Sequence, residues 1–167
     1  MFGRKQSFEK KEKEMRNSIS AEKQMFIDAV SPTSIHLNAV EDKLRDSIQA
    51  YVLAIYSQNP GMLPMGVMTE DFYTRSLNII DISRRSCVMR ASSVIVPKMD
   101  LISYDNSIAA VSELTFEVIY EVRALAGDGV KMNDFEESRL CRIKFLQDLR
   151  SESGWLIKDY EDLGAVQ

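Results

Sequence analysis

The chain is poor in the residues that most often announce chemistry. Among 167 residues there is one histidine, His36, and there are two cysteines, Cys87 and Cys141. A site built on paired histidines is therefore excluded, and His36, which precedes the first strong helix, reads as a surface or loop residue. With no CxxC spacing, neither a zinc knuckle nor a dithiol motif is present. Both cysteines sit among apolar neighbours, which predicts buried thiols in a reducing compartment, with a disulfide across a sheet as the alternative. Glycine and proline are also sparse, at seven and four. No phosphate loop, nucleophile motif or metal-ligand spacing occurs, so no cofactor and no metal is expected. No apolar run approaches the roughly 20 residues needed to cross a bilayer. The opening MFGRKQSFEKKEKE has no hydrophobic block and is too acidic for a transit sequence, so a soluble, cytoplasmic protein is expected, peripheral to a membrane at most.

What is present is charge, unevenly placed. Residues 1–24 carry seven Lys/Arg against four Glu, a balance of +3, while the remainder carries fourteen against twenty-one, a balance of −7. An acidic body with a mildly basic arm is poorly suited to nucleic acid, and none is expected as a partner. Within 1–31, Met15, Ile19, Phe26 and Val30 fall near one stripe at helical spacing. This reads as an amphipathic helical arm, either lying on the domain and partly solvated or docking to a partner helix or anionic membrane. Arg4, Lys5, Lys10, Lys11, Lys13 and Arg16 would make the docking contacts. Pro32 ends the arm, and 32–167 is long enough for one domain with one core.

Two helices should open that domain. Asn38 and Glu41 have capping-box spacing, and Val40, Leu44, Ile48, Tyr51, Val52 and Ile55 form an apolar stripe that stops at Asn59-Pro60-Gly61. Thr69 caps a second helix over 70–85, with Tyr73, Leu77 and Ile80 inside, flanked by Phe72 and Ile79. The period then changes from helical to alternating. Strands are predicted over 88–96 and 99–104, interrupted at Pro97 by a bulge or edge position. Asp105-Asn106 should turn the chain into a strand over 106–123, with Ile108, Ala110, Leu114, Phe116, Val118, Tyr120 and Val122 on one face. At about 3.3 Å per residue this strand would reach roughly 50 Å, more than such a domain is wide, so the sheet must curl. Further strands follow over 139–148, with Cys141, Ile143 and Phe145 inward, and from Trp155 through Tyr160. The expected fold class is α+β: N-terminal helices packed on a strongly curved antiparallel sheet.

Two helices, long curled strands and a closing Gly154-Trp155-Leu156-Ile157-Lys158-Asp159-Tyr160 resemble the nuclear transport factor 2-like (cystatin-like) superfamily over about 40–163. Within it, the helix ending Ser83-Arg84-Arg85 and the GWLIKDY finish look most like the C-terminal domain of the mitochondrial import-motor anchor. The inner-membrane assembly subunit of type IV secretion systems comes second. The resemblance implies a cone whose sheet and first helix enclose a pocket, with the Gly-Trp-x-Ile strand near the sheet centre. Members are small-molecule enzymes or binding modules, and the fold alone does not choose between them.

An isomerase of this superfamily would set a carboxylate against a tyrosine, but the face of Tyr120 shows only Ser112 as an inward polar group, with Glu113, Glu117 and Glu121 opposite. A hydrolase would need two aspartates joined by an arginine, for which Asp100, Arg90, Arg142 and Asp159 are the available residues. A solvated ladder of charges is the ordinary reading of both sets. Met62, Met65 and Met68, between the helices, either fill core gaps or line a groove at the cone mouth. The groove would then comprise Tyr51, Ile55, Met62, Met65, Met68, Phe116, Tyr120 and Trp155. The expected function is a non-enzymatic scaffold in a transport or secretion assembly, with a protein partner and a possible homodimer through the sheet. The alternative is an isomerase-like or hydrolase-like enzyme using the apolar cone.

Overall fold

Three consecutive strands of 17 or 18 residues dominate the computed structural model, which describes residues 37–166. The order is α1 (Leu37–Tyr56), α2 (Glu70–Ser86), β1 (Val88–Asp105), β2 (Val111–Gly127), β3 (Met132–Asp148) and β4 (Trp155–Ala165). The strands form one antiparallel sheet in sequential order. The sheet is curled but not closed, with α1 against β1 and α2 against β4 and α1. The arm over 1–31 and His36 lie outside the described residues.

The curl follows from strand length and from interruptions in β1. A 17-residue strand spans about 56 Å, and a right-handed twist accumulated over that length bends the sheet. The pairing of β1 with β2 slips at Ala91/Ser93, Ile95/Lys98 and Leu101/Ser103, and each slip adds local bend. The middle slip contains Pro97, the expected bulge, and β1 runs continuously through it. β2 pairs with β3 without a slip, giving the sheet a regular spine.

The apolar stripe of α1 closes the concave side. Leu44, Ile48, Tyr51 and Val52 are buried there against Leu114, Phe116, Val118, Ile143, Phe145 and Ile157. Burying a side chain of this size contributes about 1.5–3 kcal/mol. α2 starts where Thr69 Oγ1 accepts from the Phe72 amide at 3.3 Å. Glu70 and Asp71 in its first turn and Arg84 and Arg85 in its last complement the helix dipole. Its buried residues are Phe72, Ser76 and Ile80, whereas Ile79 is 43% exposed rather than inward.

Three further differences from the sequence reading follow, the first two with local causes. β2 begins at Val111 instead of 106. The Asp105 carboxylate accepts from the Ser107 amide at 2.8 Å and Ala110 takes φ 65°, so 106–110 is a turn and Ile108 points to solvent. β3 begins at Met132, seven residues earlier than predicted, because Asp128 Oδ1 accepts from the amides of Val130 and Lys131 and closes a tight hairpin. A Cβ on Gly127 would lie 1.9 Å from the Lys131 carbonyl oxygen, so this hairpin requires glycine there. The Gly-Trp-x-Ile strand, β4, is an edge strand rather than central.

Candidate functional site

The inner face of the sheet changes chemistry along its length. Register places Leu114 opposite Phe145, Phe116 opposite Ile143, Val118 opposite Cys141, Tyr120 opposite Arg139 and Val122 opposite Glu137. At Arg139 and Glu137 the inward positions of β3 are therefore charged, before Phe135 returns the face to apolar. On β4, Tyr160 pairs with Ile143 and Asp162 with Cys141, which brings both to the same region. A cavity of about 390 Å³ opens here between the sheet and the helices. Its apolar wall includes Val52, Ile55, Ile79 and Met89, and its polar wall includes Tyr56, Tyr120, Tyr160, Glu137, Arg139 and Asp162.

Those polar groups form one connected set. The Tyr56 hydroxyl donates to Glu137 Oε2 at 2.7 Å and lies 3.2 Å from the Tyr120 hydroxyl, which is 2.9 Å from that of Tyr160. Arg139 donates through Nη1 to Glu137 at 2.6 Å and through Nε and Nη2 to the two oxygens of Asp162 at 3.0 and 2.5 Å. The Glu137 and Arg139 side chains are 22% and 23% exposed, so the pair is partly shielded at the cavity edge. Tyr51 and Tyr160, 5.8 Å apart, and Tyr56 and Tyr120, 6.0 Å apart, add aromatic faces.

Gln58 holds the rim. It is buried at φ 53°, and its amide donates to Ser83 Oγ at 2.8 Å and to the Cys87 carbonyl at 2.9 Å. Its side-chain oxygen accepts from the Met89 amide at 3.0 Å, and its carbonyl accepts from Arg84 Nε at 2.8 Å. One residue thus ties the end of α1 to the end of α2 and the start of β1, all of which border the cavity.

Burial decides the acid–base character of the wall. It pushes Tyr51 up to about 12, opposed by the hydroxyl of Ser76. Tyr56 and Tyr160 are driven well above the ordinary tyrosine range, by burial first and then by Tyr120. Tyr120 is also raised by burial, with the Tyr160 and Tyr56 hydroxyls acting against it. Burial and then the Asp162 charge push the Cys141 thiol up to about 12. The hydrogen bonds from Arg139 hold Asp162 below the usual carboxylate range.

Of the eight groove residues named from sequence, Tyr51, Ile55 and Tyr120 line this cavity. Met62 and Met65 are exposed on two short 3-10 turns between the helices, and Met68 and Phe116 are buried in the core. Trp155 starts β4, partly buried against the core. The aspartate–arginine set is dispersed: Asp100 faces Lys98, Arg142 faces Glu161 and Asp159 pairs with Arg75. Cys87 and Cys141 are both free thiols, the first half-buried and the second buried. Among the described residues no group of three His, Cys, Asp or Glu could hold a metal ion, and no helix is long and apolar enough to cross a membrane.

Sequence reasoning missed Tyr56, Glu137, Arg139, Tyr160 and Asp162 as one site. A usable signal exists: carrying the alternation of Phe145, Ile143 and Cys141 back along β3 puts Arg139 and Glu137 on the inward face. The polar partners of Tyr120 come from three other elements, so β2 alone, with its single inward Ser112, did not reveal them.

No protein-family model matches the chain, and no curated protein is similar to it in sequence. Solved structures do share its architecture. A periplasmic fragment of TraM is 16% identical, with 76% of this chain and 96% of that one covered and a TM-score of 0.50. CagV, a VirB8 homolog of the type IV secretion system from Helicobacter pylori, is 15% identical over 74% and 98%, with a TM-score of 0.47. The intermembrane space region of the chloroplast protein ARC6 is 13% identical over 78% and 98%, with a TM-score of 0.48. At these identities the likeness is one of fold alone, helices packed on a curled antiparallel sheet.

Proposed function

We propose that this chain is a non-enzymatic protein-binding or scaffold domain that serves in a transport or secretion assembly. The observation that carries the reading is that the polar groups of the cavity wall are committed to one another: Tyr56 to Glu137, Tyr120 to Tyr56 and Tyr160, and Arg139 to Glu137 and Asp162. Burial also moves Tyr51, Tyr56, Tyr120 and Tyr160 away from the range in which general acid–base catalysis works best.

A surface for a partner stands beside the cavity mouth. Ile79 and Ile82 are 43% and 61% exposed one turn apart on α2, with Ile79 also reaching the cavity wall. The convex face of the sheet is instead laced with charge, with Glu113 against Lys158 and Lys144, and Arg142 against Glu161. We assign partner binding to the α2 side, with 1–31 as the docking arm of the 32–167 domain, at an anionic membrane surface or on the partner itself. A homodimer through the sheet would need these charges to interlock.

Affinity capture tests the reading with the full chain, a form lacking 1–31, and the pair Ile79→Glu, Ile82→Glu. The expected result is a discrete protein retained in stoichiometric amount by the full chain and lost from at least one altered form. Retention of no protein by the full chain would sink the proposal, and size measurement at low and high salt reports on the homodimer.

A further inference from the structure

The direction of the tyrosine hydrogen bonds fixes what the cavity accepts. Each phenol has one proton to donate. Tyr56 commits its proton to Glu137, so the 3.2 Å contact with Tyr120 must be donated by Tyr120. Tyr120 then has none left, and the 2.9 Å contact with Tyr160 must be donated by Tyr160. The chain runs from Tyr160 through Tyr120 and Tyr56 to Glu137, and every proton in it is used. What remains on the three phenols is lone pairs, with the Tyr160 oxygen accepting from neither of the other two and hydrogen-bonded to the Cys141 thiol. Each guanidinium nitrogen of Arg139 donates one N–H to a carboxylate, three of its five donors in all. The charged residues on the lining are Glu137, Asp162 and Arg139, two negative and one positive, so the cavity carries a net charge of −1.

We propose that the cavity is a binding site for a primary alkylammonium group on an apolar body, presented by a free amine or by a lysine side chain. An ammonium brings three donors and no acceptor, the complement of a wall whose phenol protons are committed and whose two carboxylates outnumber its one guanidinium. Its charge balances the uncompensated carboxylate, and the faces of Tyr51, Tyr56, Tyr120 and Tyr160 attract a cation through their ring quadrupoles. The apolar body lies along Val52, Ile55 and Met89, and the volume is within the range of small-molecule pockets. A carboxylate of the same shape meets the wrong charge. An alcohol supplies one donor and no charge. This inference does not depend on the scaffold reading.

Titration calorimetry of the full chain with octylammonium, octyltrimethylammonium, 1-octanol and octanoate tests it, with amide shifts mapping the site. Octylammonium is expected to saturate and to perturb residues around Tyr56, Tyr120 and Tyr160. The quaternary amine, which has no N–H, and the alcohol should bind about tenfold or more weakly, and octanoate weakest. Glu137→Gln and Tyr160→Phe should each weaken octylammonium several-fold and leave 1-octanol unchanged. The second keeps the ring, so a folded variant is available even where the first unfolds. An apolar peptide with a central lysine, compared with its acetylated form, separates the two sources: acetyl-sensitive binding at the cavity assigns the ammonium to a lysine, and binding of octylammonium alone assigns it to a free amine. Equal binding of octanol or octanoate, or octylammonium shifts only outside the cavity, would overturn the proposal.

Discussion

Phe116 and Tyr120 stand on the same face of β2, and their surroundings are opposite. Around Phe116 the sheet is filled: Phe145 meets it edge-on at 5.9 Å, Ile143 lies across from it, and all three are buried almost completely. Around Tyr120 the same pleat meets Arg139 on β3, Tyr56 on α1 and Tyr160 on β4, and a cavity remains. One alternating strand thus supplies a dry half that holds the fold and a polar half available for binding. The difference lies in what neighbouring elements deliver to each row.

The comparison is most exposed to test at the filled end. Phe116→Ala removes a large buried ring and should cost about 3–5 kcal/mol of unfolding free energy, read from urea denaturation, and a loss below about 1 kcal/mol would mean that this end is not the anchor. Gln58→Ala strips the rim clamp of its side-chain bonds to Ser83, Cys87 and Met89 and should cost about 2–3 kcal/mol, leaving buried groups unsatisfied. Amide exchange should rise at the start of β1 and not around Phe116.

Alkaline pH probes the tyrosine half, and comparison with a tyrosine-to-phenylalanine variant separates it from the lysines that titrate in the same window. The folded-state pKa of Tyr51 lies above the ordinary value of 10.0, at about 12, so the stability it contributes is complete below pH 10 and is lost as pH rises toward 12. That loss is on the order of 2 kcal/mol, with Tyr56, Tyr120 and Tyr160 acting in the same direction. Thermal melts across this window should fall steeply in the native chain and less steeply in Tyr51→Phe. At neutral pH Tyr120→Phe removes the middle hydroxyl and should cost about 1 kcal/mol, with the filled half unchanged by amide exchange. The smallest effect belongs to Arg75→Ala. Arg75 pairs with Asp71 and Asp159, and all three side chains are about half exposed or more, so the loss should stay within about 0.2–1 kcal/mol.

The filled half was legible in the sequence, because a period of two over Leu114, Phe116 and Val118 and a period of 3.6 over Leu44, Ile48 and Val52 report burial directly. The polar half was not. Arg139, Glu137 and Asp162 look like surface charges by residue type; alternation along β3 turns the first two inward, and only register adds Asp162 from β4. The 106–110 turn was missed for a related reason: Ile108 and Ala110 extend the alternation of β2 by coincidence, while the Asp105 side chain quietly closes the turn. The helix ends at Asn59-Pro60-Gly61 and Thr69 were readable because capping and turn chemistry are local.

Pro97 has one more consequence. β1 is an outer strand of the sheet, and an outer strand of 18 residues could recruit a copy of itself and seed filaments or precipitates. Pro97 lacks an amide proton, and the three slips in β1 keep its remaining groups out of a straight line. The kinks that bend the sheet around α1 therefore also break up this edge as a template for edge-to-edge growth.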